Sequence, residues 1–370
     1  MKVKCSRAAM AAAFATVSGV VPSRTPKPIL QNVKLQAAAG EAILIGTDQE
    51  VGVRHRLAEA DVQQPGEVLL PNGKVSSILR ELQGESVIIE SSDEGTWIRG
   101  DRAQYKLSSA DPAEFPSVAD FDAEKYHILS CDNLRQLIKR TVFATDTEST
   151  RYALGGVLCE LTADSVTMAA TDTRRLAVAK GVCTAHGLET PDNAAPVIPS
   201  KAMALIERSL GGGNDQAWLA IRQNDMLVRT GATTIYARLV EGRFPRYQDV
   251  VPKESPIRIE LISGAFHSAV RQAQIVTSEE SRGVDFQVQN GMMTLKSSAA
   301  EVGQSSVEMP IAYEGEPLTI TFDPRYVSDF LKILPPEQTI TLELTDPESA
   351  ALFRTEDGYQ YVVMPLSRDR

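Results

Sequence analysis

One pattern occurs three times along this chain. Around Leu44 it reads Leu-Ile-Gly-Thr-Asp-Gln-Glu, around Met168 Met-Ala-Ala-Thr-Asp-Thr-Arg, and around Leu295 Leu-Lys-Ser-Ser-Ala-Ala-Glu. From Leu44 to Met168 is 124 residues, and from Met168 to Leu295 is 127. The third copy has Ser298 and Ala299 in place of the Thr-Asp pair but keeps the order of its surroundings. A unit used three times points to a scaffold, because a catalyst needs one asymmetric pocket. A period of about 120 residues is that of a whole domain, large enough to bury its own core, and not that of a solenoid repeat.

Each copy opens with a short strand pattern and then a helix pattern: Met10, Phe14, Val17; Leu134, Leu137, Ile138; Phe266, Val270, Ala273. Spacings of three and four place these residues on one helix face. Ser6, the Cys131–Asn133 stretch and Ser263 stand where N-caps belong. Strand-like stretches follow, and then a second helix with stripes Val75, Ile78, Leu79, Leu82; Met203, Ile206, Leu210; and Val327, Phe330, Leu331, Leu334. Pro71, Pro199 and Pro324 mark its start, and Gly84, Gly211 and Pro335 its end. The expected fold is α+β: three tandem domains at residues 1–123, 124–253 and 254–370, each with two helices on antiparallel sheets, joined by polar, proline-bearing linkers.

No run reaches the ~20 apolar residues of a membrane helix. Cys5, Cys131, Cys159 and Cys183 form no Cys-x-x-Cys pair, which reads as reduced thiols and a cytoplasmic location. Lys2, Lys4 and Arg7 before an alanine-rich run imitate a signal peptide. That run occupies the helix slot that the other two copies fill with mature sequence, so a helix is expected there.

Catalysis is the main rival reading. The sequence holds no phosphate-binding loop, dinucleotide fingerprint, HExxH or GxSxG. Gly211-Gly212-Gly213 follows a helix and reads as its end. The four histidines (His55, His127, His186, His267) lack metal-ligand spacing. Asp48 and Asp172 read as turn formers. No catalytic residue, metal or cofactor is therefore expected.

The chain is acidic overall, with net charge −10. Its six helix windows nevertheless hold eleven cations (Arg7, Lys74, Arg80, Arg135, Lys139, Arg140, Lys201, Arg208, Arg271, Arg325, Lys332) against five acids (Glu81, Asp132, Glu207, Asp323, Asp329). The helices thus carry +6 and the rest −16, a distribution that fits one shared helical surface facing phosphate.

Several local strings, in order, resemble the bacterial sliding clamps, the β subunits of DNA polymerase III, over essentially the full length. They are Pro28-Ile29-Leu30 with Asn32, Gly46-Thr47-Asp48, Thr171-Asp172 through Arg175-Leu176-Ala177, Gly242-Arg243-Phe244-Pro245, Arg282-Gly283-Val284 and Tyr361-Val362-Val363-Met364-Pro365-Leu366. The resemblance implies a six-domain ring, a head-to-tail homodimer around double-stranded DNA without sequence readout. Size favours six: spheres about 35 Å wide leave a hole of about 5 Å in threes and about 35 Å in sixes, and only the larger clears a groove depth of ~8.5 Å. The implied partners are the polymerase III catalytic subunit, a clamp loader, and other polymerases and repair proteins that dock through a short linear motif. The alternative is a triplicated peptide-binding adaptor that never encircles DNA.

By the same resemblance the peptide pocket lies between the second and third domains, at Leu154, Thr171, Thr173, Arg174, Arg175, Leu176, Pro245, Val250, Tyr326, Val363, Met364, Pro365 and Leu366. Asp249, Ser281, Pro347 and Glu348 depart from the family there and imply a more acidic, more open rim; the arginines of Ser367-Arg368-Asp369-Arg370 are placed to reach a peptide. DNA contact falls to Arg24, Lys74, Arg151, Tyr152 and Lys201, and is weakened by Gly73, Ala153 and Ser200. The dimer contact falls to Tyr105 and Leu107 on one side and Ile275 and Val276 on the other.

Overall fold

The computed structural model describes every residue except 39, 93, 109, 147, 149–151, 188–194, 214, 280 and 368–370. Six α-helices occupy the six expected windows: α1 (Arg7–Ser18), α2 (Asn72–Glu81), α3 (Cys131–Thr141), α4 (Ser200–Ser209), α5 (Ser263–Ala273) and α6 (Pro324–Leu331). The Ser6 hydroxyl caps α1, accepting from Ala9 N at 3.4 Å. The cap of α3 is Ser130, one residue before the expected stretch, and it accepts from Asn133 N at 3.2 Å. Ser263 does not cap α5; it lies inside the helix and its Oγ donates to Pro335 O at 2.5 Å. The second helices have their C-caps at Leu82, Leu210 and Lys332, so Gly84, Gly211 and Pro335 fall just outside them.

Four antiparallel sheets carry the helices, of five, nine, eight and four strands. The two large sheets cross the unit boundaries. At the first seam, strand Val51–Arg56 pairs with strand Thr233–Arg238, with Gly52 opposite Tyr236 and Arg54 opposite Thr234. At the second, strand Arg175–Val182 pairs with strand Gln360–Val363, with Leu176 opposite Val362. Neighbouring units are therefore joined by main-chain hydrogen bonds. The five-stranded sheet ends on strand Gln104–Leu107 and the four-stranded sheet on strand Gly303–Pro310.

The helices pack between sheets: α1 lies on Glu41–Thr47 and Val51–Arg56 of one sheet and on Lys2–Ser6 and Ser86–Ser92 of another. All the apolar helix stripes named above join one buried core. Two smaller clusters sit on the other face of the large sheets, one at each seam. Ile45, Leu69, Phe115 and Val118 form the first. Leu158, Leu176, Val178, Phe244, Tyr247 and Val362 belong to the second.

The repeated Thr-Asp pair builds the same turn twice. Thr47 Oγ1 donates to Val51 O at 2.8 Å, and Thr171 Oγ1 to Arg175 O at 2.6 Å. Asp48 Oδ1 accepts from the amides of Glu50 and Val51, and Asp172 Oδ1 from those of Arg174 and Arg175. Gln49 and Thr173 take φ of 83° and 75°, the left-handed region most side chains avoid, and these contacts hold them there.

Candidate functional site

Strand alternation sorts the residues of the second seam onto two faces. Leu176 and Val362 turn away from the helices and pack with Leu158, Phe244 and Tyr247. Pro245 and Val250, on the linker beside Phe244 and Tyr247, are exposed, as is Met364 just past the last strand. Met364 is tied down by its own amide, which donates to Arg174 O at 2.8 Å. The seam thus offers a buried apolar floor and an exposed apolar rim of Pro, Val and Met. Such a surface takes small hydrophobic side chains, and Met adapts to several shapes. Tyr247 stays neutral, pushed up by burial and by the Glu160 carboxylate, to which its hydroxyl donates at 2.7 Å.

Arg175 and Val363, also expected in the pocket, point the other way. Val363 is fully buried in the main core. Arg175 is a latch: Nε donates to Asp172 Oδ2 at 2.9 Å, Nη1 to Asp329 Oδ2 at 2.7 Å and Nη2 to Phe143 O at 2.8 Å. Its guanidinium also stands 4.8 Å from the Tyr326 ring centroid. Strand pairing, not sequence adjacency, identifies Val362 as the residue facing Leu176.

Other expected pocket residues meet in an adjoining polar cleft of about 1220 Å³. Arg174, Tyr326, Pro365 and Leu366 line it, with Ser281 and Asp285. Pro347 and Glu348 line a second cleft of about 510 Å³ on the other side of Pro365 and Leu366. Leu154 is buried, and its carbonyl accepts from Asp146 N at 2.8 Å. Thr171 and Thr173 belong to the turn that presents Arg174. The tail arginines 368 and 370 lie outside the described residues. Among the described residues no group of three or more His, Cys, Asp or Glu side chains is placed to hold a metal ion.

Comparison with known proteins matches this arrangement along its length. Models of the N-terminal, central and C-terminal domains of the DNA polymerase III beta subunit match residues 1–119, 128–246 and 248–367. The chain belongs to the DNA polymerase III beta subunit family. The beta sliding clamp of Pseudomonas putida is 29% identical over 370 residues, covering 99% of this chain and 100% of the relative. That of Escherichia coli K12 is 29% identical over 369 residues, again covering 99% and 100%. The crystal structure of the beta subunit from Pseudomonas aeruginosa superposes with a TM-score of 0.92 at 28% identity, covering 99% of this chain and 100% of that one. The sliding clamp structure from Bacillus subtilis gives 0.92 at 25%, covering 99% of both chains.

Arg24 and Lys74, expected to face DNA, are exposed. Lys201 is exposed too, but its Nζ pairs with the Asp48 carboxylate across the first seam. Arg151 lies outside the described residues, and so does the side chain of Tyr152, which begins a short turn, Tyr152–Gly155. Of the eleven helix-window cations, Arg140 is buried, pairing with Asp357 at 2.7 Å beneath Tyr359. Arg7 and Arg135 are also committed to structure, donating to Gly84 O and to the carbonyls of Leu210 and Gly211. The other eight are exposed, whereas only Glu81 and Asp132 of the five acids are. Tyr105 and Leu107 lie half-buried on the terminal strand Gln104–Leu107; Ile275 is 74% exposed beside half-buried Val276.

Proposed function

We propose that this chain is a DNA sliding clamp, a non-catalytic processivity factor. Two copies close head to tail around duplex DNA, and partners dock by a short motif at the second seam. The observation that carries the reading is a pair of strand edges. Each internal seam joins one strand from the helix-following sheet half of one unit to one from the other half of its neighbour: Val51–Arg56 with Thr233–Arg238, and Arg175–Val182 with Gln360–Val363. In repeat order, Gly303–Pro310 corresponds to the first member of these pairs and Gln104–Leu107 to the second. They belong to the third and first units respectively, each at the edge of its sheet. A second copy pairs them by the geometry already used twice within the chain, covering edges that otherwise invite aggregation.

In this reading the domains are 1–123, 124–253 and 254–370, and the assembly works in the cytoplasm. Tyr105 and Leu107 meet Ile275 and Val276 of the second copy. Arg24, Lys74 and Lys201 belong to the surface facing DNA. The exposed helix cations give a mildly positive lining, which suits sliding because topology holds the ring on DNA. Leu176, Pro245, Val250, Met364, Pro365 and Leu366, with Val362 added, take the hydrophobic ends of the partner motif, and the polymerase III catalytic subunit, the clamp loader and other polymerases and repair proteins share that pocket.

The test is fluorescence anisotropy with a labelled peptide carrying Gln-Leu-x-Leu-Phe. Saturable binding by wild type that Met364→Ala with Val250→Asp abolishes is the expected result. No binding by wild type, together with a monomeric mass in solution, would overturn the reading.

A further inference from the structure

The first seam carries a cleft of about 390 Å³ lined by Arg54, Arg56 and Arg229 with Asp120 and Thr234. It lies on the face of the nine-stranded sheet turned away from the helices, since Arg54 pairs laterally with Ile45 of the outer cluster. Arg229, Thr234 and Arg54 stand in one row across three strands. Three arginines and one aspartate therefore share the lining of one cleft, and Arg54 is the one paired with that carboxylate.

Their charge is incompletely met. Arg54 Nε is buried without a hydrogen-bond partner, Asp120 Oδ2 standing 3.4 Å away as an ion-pair contact. Arg56 reaches Glu41 at 3.5 Å, but both side chains are about half exposed, so water screens that pair. Arg229 lies 5.3 Å from the Trp218 ring centroid, and among the described residues no carboxylate is bonded to it.

The second seam is an internal control. Its lateral row reads Arg354, Gln360, Val178, the counterpart of Arg229, Thr234, Arg54. There Val178 replaces the second arginine, and Arg354 Nε is held by Glu343 Oε1 at 3.1 Å. Lys180 stands there where the first seam has Arg56, so a seam of this geometry forms without the second arginine of the row, and joining the sheets does not explain Arg54.

We propose that the cleft at the first seam binds a phosphoryl group. Guanidinium forks match the oxygens of phosphate, and several of them around one cleft favour a multiply charged anion. Free inorganic phosphate and a phosphomonoester on a larger molecule share this chemistry.

The experiment is isothermal titration of the full-length protein at constant ionic strength, with inorganic phosphate in one arm and adenosine 5′-monophosphate in the other. Saturable binding of either probe at one site per chain is expected. Tighter binding of phosphate assigns the site to the free anion, and tighter binding of the monophosphate to a carried phosphoryl group. Arg229→Ala and Arg56→Gln should each weaken binding at least tenfold, and Arg238→Ala, outside the cleft, should leave it unchanged. Arg56 is half exposed, so its variant tests the site even if Arg229→Ala fails to fold. Absence of saturable binding of both probes by wild type, or wild-type affinity in Arg56→Gln, would overturn the proposal.

Discussion

Arg175 Nη1 stands 2.7 Å from Asp329 Oδ2, so one ion pair ties the repeated turn of the second unit to α6 of the third. The same guanidinium holds Asp172 and the Phe143 carbonyl, which makes it a three-way clasp. Replacing it with alanine leaves the mostly buried Asp172 carboxylate without its cation and Asp329 with Lys332 alone. Breaking such a pair from one side costs about 3–5 kcal/mol when fully buried; with Asp329 partly exposed, Arg175→Ala should cost about 2–3 kcal/mol in urea unfolding. Arg175→Lys should recover less than half, because one ammonium cannot reach three acceptors. A loss under 0.5 kcal/mol would show that the clasp is not structural.

The clasp also sets an acid dependence. Burial pushes the Asp329 carboxyl up, but hydrogen bonds from Lys332 and Arg175 outweigh it and hold the group below its usual 3.8. A lowered folded-state value stabilises above the unfolded value and loses that contribution as pH falls through the folded one. The stability gap between wild type and Asp329→Asn should be full at pH 7 and close below pH 3.8, as measured by urea midpoints at stepped pH.

The floor of the proposed peptide pocket is testable apart from its rim. Leu176→Ala empties part of the outer cluster and should cost about 2–4 kcal/mol of stability as well as peptide affinity. Met364→Ala, at an exposed position, should weaken the peptide alone. Equal destabilisation by both would place Met364 in the core instead.

Subunit contact is read from mass. Ile275→Asp should halve the particle from twice the 40.2 kDa chain mass to one chain, with the far-ultraviolet dichroism of the folded chain retained. An unchanged mass by light scattering at micromolar concentration would move the interface elsewhere.

Burial makes three thiols inert. It pushes Cys5 to about 11, Cys159 to about 12 and Cys183 to about 11. The thiolate is the reactive form, so iodoacetamide at pH 8 should label none of the three until denaturant is added. Rapid labelling of Cys159 in the native protein, seen by mass spectrometry, would contradict its complete burial.

The helices were legible because each buries one stripe, and Met10, Phe14 and Val17 or Phe266, Val270 and Ala273 carry a 3.6-residue period wherever they occur. The repeat made the unit count readable too. The faces of the second seam were less accessible. Arg175 and Leu176 are adjacent, as are Val362 and Val363, the two pairs lie far apart in sequence, and only the pairing of Leu176 with Val362 says which side each takes. A shift of one residue moves a side chain to the opposite face, so the adjacent Val362 and Val363 pack in different clusters, which the string alone does not reveal. Arg140 misleads for a related reason: its charge counts toward a basic surface in any tally, yet Asp357 and Tyr359, more than two hundred residues later, draw it inside.

The strand ladders that cross both seams bear on how the proposed closed ring of two such chains would come apart. Of its six joints, four are spanned by the polypeptide itself and reinforced by ion pairs such as Arg175 with Asp329, so pulling on them strains covalent structure. The remaining two rest on contact alone. Any machine that threads DNA through the ring has only those two places to pry, and each half of the ring should swing as one stiff arc.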